Sequence, residues 1–188
     1  LLMPINCRNK GAQMEHKNLN LKESQDFIKK HHRHSKPLKR HMFSIGALND
    51  QGDLVGVVTV DNCSSGGWSK VRSYKEIRRL CILPGADPNT ASFLIGKATT
   101  ALFAMGYKAV ITYTLPEENG ASLKGAGFNI YKRSTMRYVD GNLQGGKYTW
   151  YKTTKKTEQL EEERKFTNEC IDNTKKIINM WEKNEKLN

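Results

Sequence analysis

The sequence contains few cysteines and no long apolar run. Its 4 cysteines are scattered among 188 residues without a C-x-x-C pair, so neither a zinc knuckle nor a disulfide framework is indicated. No apolar stretch approaches the roughly 20 residues that cross a bilayer, and the N-terminus has no apolar signal-peptide region. We therefore expect a cytoplasmic protein with no membrane partner.

Acidic residues are also scarce relative to basic ones. Lys and Arg number 31 against 19 Asp and Glu, which gives a formal net charge of +12. A field of this sign attracts phosphate-rich partners through counterion release. DNA and a polyanionic cofactor are both candidates, and a basic surface that serves only solubility is the third interpretation.

Length and composition favour a single core with appendages. A hydrophobic content of 37% with 9% aromatics is low but sufficient for one globular domain. We predict a domain over 19–152, after an irregular or short extended lead-in over 1–18. A charged amphipathic helical tail over 153–188 follows, and it packs on its own domain, forms a homodimer with a second copy or contacts another partner.

Hydrophobic periodicity predicts the elements of the domain. A first helix over 21–32 begins after Asn20, whose side chain can cap it, and ends before Pro37. Strands are predicted at 41–47, 54–60, 74–83, 108–115, 128–139 and 147–152, and further helices at 91–105 and 119–126. The order strand, loop, helix, strand from 74 to 115 indicates a right-handed crossover. The predicted fold class is α/β (α+β), with a central mixed sheet of six to seven strands flanked by helices.

The loop between the central strand and the following helix is a candidate anion site. Free backbone N–H groups and the positive end of a helix dipole meet at such a junction. Thr90 and Ser92 add hydroxyl donors, and Gly85 permits close backbone approach. Any strand-to-helix turn offers part of this arrangement, so a plain connection is the alternative.

Several segments together resemble the core of the GNAT acyltransferases. They are Arg79-Leu80-Cys81-Ile82-Leu83, the helix ending Ala104-Met105-Gly106-Tyr107, the strand 109–114, and the run 119–128 with its final Gly127-Phe128. The resemblance covers residues 20 to 152 and implies that acetyl-CoA or a related acyl-CoA is bound. It implies a pantetheine contact with the backbone of Leu80, Cys81 and Ile82. The other implied cofactor contacts are Asn89, Thr90, Ala91, Ser92, Phe93, Asn119 and Ser122.

The loop departs from the usual glycine-rich form, and Leu123 stands where many members of the superfamily have a tyrosine acid. Asn89, Ser92 and Ile95 resemble a phage and prophage branch of the superfamily that includes the Mom DNA-modification protein. That branch uses an upstream His-Tyr pair: His31 matches its His, whereas His32 stands where its Tyr would be. It implies modification of adenine in DNA and leaves iron open as a ligand, although the Asp of the branch is replaced by Leu115.

Four of the five histidines lie between 31 and 41. A histidine among His31, His32 and His34 is a candidate general base, because imidazole titrates near neutral pH. Metal binding and a merely basic surface are the alternatives, and the absence of an i, i+4 pair does not favour a metal site. The full set of candidate catalytic residues is His31, His32, Ser92 and Tyr113.

Three functions follow from these observations. The first is an N-acyltransferase of phage or mobile-element type that moves an acyl group from CoA to an amine of a nucleobase or a protein. The second is a Mom-like DNA base-modifying enzyme. The third is a non-catalytic basic module on the same fold, because Leu123 and Leu115 replace expected functional groups. Glu76 and Arg79, on alternate faces of a regular strand, either line an acceptor groove or are solvent-exposed strand charges.

Overall fold

The computed structural model describes residues 14–32, 36–65, 67–134, 137–139, 142–144, 146–154 and 157–185. The elements in chain order are β1 Glu15–Leu19, α1 Leu21–His31, β2 Phe43–Leu48, β3 Leu54–Asn62, β4 Tyr74–Ile82, α2 Thr90–Ala104, β5 Ala109–Thr114, α3 Ala121–Gly125, β6 Asn129–Arg133, β7 Arg137–Val139, β8 Asn142–Gln144, β9 Tyr148–Thr153 and α4 Thr157–Glu185. The mixed α/β architecture that the sequence predicts is confirmed.

The main sheet has seven strands in the order β1-β2-β3-β4-β5-β9-β6, and β7 and β8 form a separate two-stranded sheet. Only β4 and β5 are parallel, and α2 connects them, as the crossover prediction requires. The strand predicted over 128–139 is split into β6 and β7. β1 begins at Glu15, inside the predicted lead-in, and pairs along its whole length with β2.

Apolar side chains of the strands alternate between the two faces of the sheet. One face packs under α2 and α3 through a large cluster that includes Val58, Ile77, Leu94 and Leu102. The other face carries two smaller clusters. One lies beneath α1 and contains Phe27, Ile28, Val57 and Cys81, and the other contains Trp68, Tyr74, Ile111 and Tyr151.

The two faces differ in what covers them. The face under α2 and α3 is called the α2 face below, and the opposite one the α1 face.

In the part of α4 whose side chains are described, Phe166 is 70% exposed, while Glu163 contacts Lys108. α4 therefore contacts its own domain around Glu163 and leaves a large apolar side chain in solvent. The predicted homodimer through this helix stays a prediction.

The start of α1 is fixed by a reciprocal cap. The backbone N–H of Glu23 donates to Oδ1 of Asn20 at 2.9 Å, and the backbone N–H of Asn20 donates to Oε2 of Glu23 at 2.8 Å. Two otherwise unpaired backbone donors are satisfied in this way. The predicted capping role of Asn20 is confirmed.

Replacing Asn20 by Ala is expected to lower the free energy of unfolding by about 1 kcal/mol, because the first turn of α1 loses its side-chain acceptor. Urea denaturation followed by circular dichroism measures the change. Asn18→Ala, at an exposed position of β1, is the matched control and is expected to have a smaller effect. Equal losses in the two variants would contradict the capping assignment.

Candidate active site

The two parallel strands diverge within the sheet. β4 pairs with β5 only from Tyr74 to Glu76, opposite Ala109 to Ile111. Beyond that point the two strands, both fully described, form no further ladder pair, although β4 continues to Ile82 and β5 to Thr114. The backbone edge of β4 that faces β5 is therefore open over its second half.

A β-bulge accompanies this divergence. In the ladder between β3 and β4, Thr59 is opposite Arg79 and Val60 is opposite Ile77, which leaves Arg78 as an extra residue. A bulge bends its strand and increases the local twist. The extra residue also shifts the side-chain alternation, so Glu76 and Arg79 share the α1 face. The prediction that they lie on alternate faces is wrong for this reason.

The divergence opens a cleft of about 870 Å³ between β4 and β5. On the α1 face its wall includes Ser64, Glu76, Arg79 and Tyr113, and on the α2 face Leu80 and Thr112. On the α2 face, the start of α3 contributes three further wall residues, Asn119, Gly120 and Ser122. The cleft thus runs from one face of the sheet to the other, which would allow two reactants to enter from opposite sides.

Glu76 is the most constrained charged group in the cleft. Its side chain accepts hydrogen bonds from the Ser64 backbone N–H at 2.7 Å and from Ser64 Oγ at 2.8 Å. Arg78 Nε lies 3.2 Å from Oε1. The residue is only 4% exposed, and burial raises the pKa of its carboxyl, while the Ser64 hydrogen bonds and Arg78 act in the opposite direction. The alternative of a solvent-exposed strand charge does not hold for Glu76.

Tyr113 lies across the cleft from Glu76. Its hydroxyl donates to Oγ of Ser65 at 2.9 Å. Burial raises the pKa of Tyr113 to about 12, so the phenol is protonated at neutral pH. A neutral phenol can donate a proton to a developing anion, and it cannot act as a base there.

The two histidines differ in placement. His32 lines the cleft, and its backbone N–H closes the C-terminus of α1 on the Ile28 carbonyl at 2.9 Å. His31 is exposed, and its ring contacts that of Phe27. His34, the third histidine of the hypothesis, lies outside the described residues. Within the described part of the chain, no group of three or more His, Cys, Asp and Glu side chains could hold a metal ion.

The predicted cofactor residues lie in three places: in the wall of the cleft, at the end of β4 and at the start of α2. Leu80, Asn119 and Ser122 line the cleft. Cys81 is buried on the α1 face, and burial raises the pKa of its thiol. Ile82, the third residue of that run, lies at the end of β4. The structure therefore brings Leu80, Asn119 and Ser122 together in one cavity. Their role in binding the cofactor stays a prediction.

The remaining predicted residues lie at the start of α2. Asn89 precedes the helix, and its side chain makes no capping hydrogen bond. Asp87 accepts from the Asn89 backbone N–H with its side chain at 2.7 Å and from the Thr90 backbone N–H with its carbonyl at 2.9 Å. The next backbone N–H groups of the first turn point outwards. Ser92 Oγ donates to the Asn89 carbonyl at 3.0 Å. Thr90 is fully buried with an unpaired hydroxyl, away from solvent. Ala91 and Phe93 complete this turn, and the Phe93 ring contacts His16 edge-on.

The sequence did not identify Ser64 and Ser65, the two serines that bind Glu76 and Tyr113. The sequence marks Ser64 and Ser65 only as part of a loop, because serine next to glycine is a general loop signal. Their contacts with Glu76 and Tyr113 depend on long-range packing. Thr112 was also missed, and its hydroxyl donates to the Ile77 carbonyl at 3.1 Å at the point where β4 and β5 separate.

Comparison with solved structures identifies the fold. No protein-family model and no curated protein sequence matches the chain. Among solved structures, IAA acetyltransferase from Bacillus cereus aligns with a TM-score of 0.56 at 10% identity, covering 75% of this chain and 99% of that one.

Two further neighbours carry ligands. A GNAT superfamily phosphinothricin acetyltransferase from Sinorhizobium meliloti, in complex with acetyl-CoA, aligns with a TM-score of 0.57 at 10% identity over 74% of this chain and 88% of its own. Spermidine N-acetyltransferase from Vibrio cholerae, in complex with CoA and spermine, aligns with a TM-score of 0.56 at 13% identity over 75% and 95%. The chain has the fold of the GNAT N-acetyltransferases.

Proposed function

We propose that this chain is an N-acyltransferase that binds acyl-CoA in the cleft between β4 and β5 and transfers the acyl group to an amine. The observation that carries the proposal is the buried Glu76 carboxylate at the point where the two strands separate. A buried base next to an open strand edge suits the joining of an amine and a thioester.

The α2 face is the proposed cofactor side. The pantetheine arm of CoA contains peptide-like amides, and the open edge of β4 offers unpaired backbone groups that could bond them. The N-terminus of α2, where the Asn89 side chain makes no capping hydrogen bond, would face the pyrophosphate, because the helix dipole favours negative charge there. Asn119 and Ser122 would contact the cofactor from the opposite wall. The acetyl-CoA and CoA complexes of the structural neighbours support acyl-CoA as the cofactor.

The α1 face is the proposed acceptor side. The neutral amine attacks the thioester carbonyl carbon, a C–N bond forms, and the C–S bond breaks as the thiolate leaves. Glu76 takes the proton released by the nitrogen, and Tyr113 supplies a proton to the thiolate sulfur. In this scheme Tyr113 is the acid, the role that a tyrosine at the position of Leu123 has in many members of the superfamily.

The rate is expected to depend on pH through Glu76. The base acts only when it is deprotonated, and its pKa is raised by burial. We therefore expect kcat/KM to rise with pH along an acid limb whose midpoint lies above the ordinary range of glutamate. A pH profile of acyl transfer measures this. A limb at the ordinary glutamate value, or none, would contradict the assignment of Glu76 as the base.

Two measurements test the proposed function. Calorimetric titration of the purified chain with acetyl-CoA should give a saturable signal with one site. Thiol release from acetyl-CoA in the presence of a panel of primary amines, with mass spectrometry of the products, should then show an acylated amine. Binding without turnover of any amine would favour the non-catalytic module. Absence of binding for acetyl-CoA and longer acyl-CoA thioesters would refute the proposal.

The second candidate acceptor is a nucleobase amine in DNA. Arg79 is partly buried in the cleft wall, and its guanidinium donates to the carbonyls of Lys36 and Arg78 at 3.1 Å and 2.6 Å. Among the residues that the structure describes, no carboxylate lies within ion-pair distance of it, although Glu76 attracts it at longer range. A cation placed in this way suits a phosphate of the acceptor, and the net charge of +12 acts in the same direction. Mass spectrometry of nucleosides from cells expressing the chain tests this: unmodified adenine and cytosine throughout would remove the candidate.

A further inference from the structure

The C-terminal helix contacts the domain through a charged side chain that lies between aromatic rings. The guanidinium carbon of Arg164 is 5.2 Å from the ring centroid of Trp68 and 5.4 Å from that of Tyr131. Its Nε is buried and has no hydrogen-bond partner. The guanidinium therefore contacts two aromatic rings as a cation, and its Nε takes no part in polar pairing.

The preceding residue of α4 fixes the helix beside this contact. Glu163 accepts a hydrogen bond from Lys108 Nζ at 3.2 Å and one from the Tyr74 hydroxyl at 3.5 Å. Tyr74 belongs to β4, and its ring contacts that of Trp68 with centroids 5.6 Å apart. Two consecutive residues of α4 thus bind one aromatic cluster at the edge of the core.

Trp68 belongs to the segment that connects β3 to β4. The indole is 4% exposed, and the backbone N–H of Ser69 donates to the carbonyl of Ser65 at 2.8 Å. A backbone hydrogen bond therefore joins Ser69, the neighbour of Trp68, to Ser65. Whatever holds the indole in place also limits the movement of the serines at the start of the segment.

Those serines hold both catalytic candidates of the proposed function. Ser64 binds the Glu76 carboxylate through its backbone N–H and its hydroxyl, and Ser65 accepts from the Tyr113 hydroxyl. A continuous set of contacts consequently connects α4 with the cleft.

We propose that Arg164 is a positioning residue: by holding Trp68, it keeps Ser64 and Ser65 in place against Glu76 and Tyr113. The catalytic consequence of this clamp rests on the proposed function, whereas the clamp itself does not. α4 then completes the site from outside the central sheet. Its removal leaves the cofactor side of the cleft unchanged, because the contacts lie on the α1 face.

The clamp is tested by nuclear magnetic resonance of the whole chain with Arg164→Ala. The Ser64 amide proton, bound to a carboxylate in the wild type, should shift upfield, and its exchange with solvent should accelerate about tenfold when the cation–aromatic contact is lost. Arg164→Lys, which keeps the charge but not the planar face, should give an intermediate shift. Lys165→Ala is the matched control, since Lys165 is on the same helix with a side chain 80% exposed, and it should leave Ser64 unchanged.

Two results would overturn the proposal. One is a Ser64 amide with the same shift and exchange rate in Arg164→Ala as in Lys165→Ala. The other is a uniform loss of protection across β3, β4 and β5, which would make Arg164 a general stabilising residue. Acetyl-CoA titration of wild type and Arg164→Ala separates this from the proposed function: equal affinities are expected. Absence of binding in both would refute the proposed function and leave the amide measurement to decide the clamp.

Discussion

Replacing Glu76 by Gln is expected to lower kcat for acyl transfer about 100-fold at neutral pH, because a positioned general base contributes at least that factor. Gln is nearly isosteric and can still accept a hydrogen bond from Ser64, but it cannot take the amine proton. The affinity for acetyl-CoA should stay within about twofold of wild type, because the proposed cofactor contacts lie on the other face. Steady-state kinetics and calorimetry measure the two quantities.

Glu117→Gln is the matched control for this variant. Glu117 also lines the cleft, but it is exposed to solvent and follows the end of β5. Its replacement should leave kcat within about twofold of wild type. Similar losses in the two variants would show that the charge of the cleft matters rather than a base at position 76. A Glu76→Gln variant with full activity would assign the proton transfer to another group, with His32 the next candidate.

Replacing Gly120 by Ala is expected to lower the free energy of unfolding by about 2–4 kcal/mol, the sum of a left-handed backbone penalty and overpacking. The φ of Gly120 is +64°, and a Cβ atom at this position would overlap the ring of Trp150. That ring is 2% exposed, and its Nε1 donates to Thr114 Oγ1 at 2.9 Å. The indole therefore cannot move without breaking this side-chain hydrogen bond between β9 and β5.

Gly52→Ala separates the two contributions. Gly52 has a φ of +81° in the turn between β2 and β3, and a Cβ added there would have no neighbouring atom within 4 Å. Its substitution should cost only about 1 kcal/mol, the backbone penalty alone. Thermal and urea denaturation of both variants measure the difference. Equal losses would mean that the Trp150 ring yields to the new methyl group and that the start of α3 is less constrained than its packing indicates.

Local patterns were sufficient for most of the fold. The α1 start at Asn20, the valine-rich β3 and the helix α2 are each determined by neighbours within a few residues: a capping side chain, β-branched residues, or an apolar repeat of three and four. β1 was harder to predict, because it is a polar edge strand whose exposed residues show no alternation. Its pairing with β2 is a tertiary feature.

The bulge at Arg78 could not be predicted from the sequence. Nothing in the run from Tyr74 to Ile82 distinguishes a regular strand from a bulged one, since the extra residue is defined only by its partner strand. The bulge nevertheless decides which side chains meet in the cleft. The alternation rule fails at this point, and the relative placement of Glu76 and Arg79 fails with it.

Only part of the candidate site could be predicted, because some of its contacts are defined only by residues far away in the sequence. Tyr113 follows from the end of its strand, whereas Asn119 and Ser122 follow from the resemblance to the GNAT core, and all three line the cleft. His32 also lies there, whereas the adjacent His31 is on the exposed side of α1. Contacts made by the segment between β3 and β4, including those of Ser64 with Glu76, join residues far apart in the sequence and have no local sequence signal.

The most direct test of the account is a crystal structure of the chain with bound CoA. We expect the pantetheine arm to lie in the cleft along the open edge of β4 beyond Glu76, with the pyrophosphate at the N-terminus of α2 and the sulfur between Glu76 and Tyr113. A CoA molecule bound elsewhere on the surface, or a cleft that stays empty at millimolar CoA, would contradict the central claim that the separation of β4 and β5 forms an acyl-CoA site.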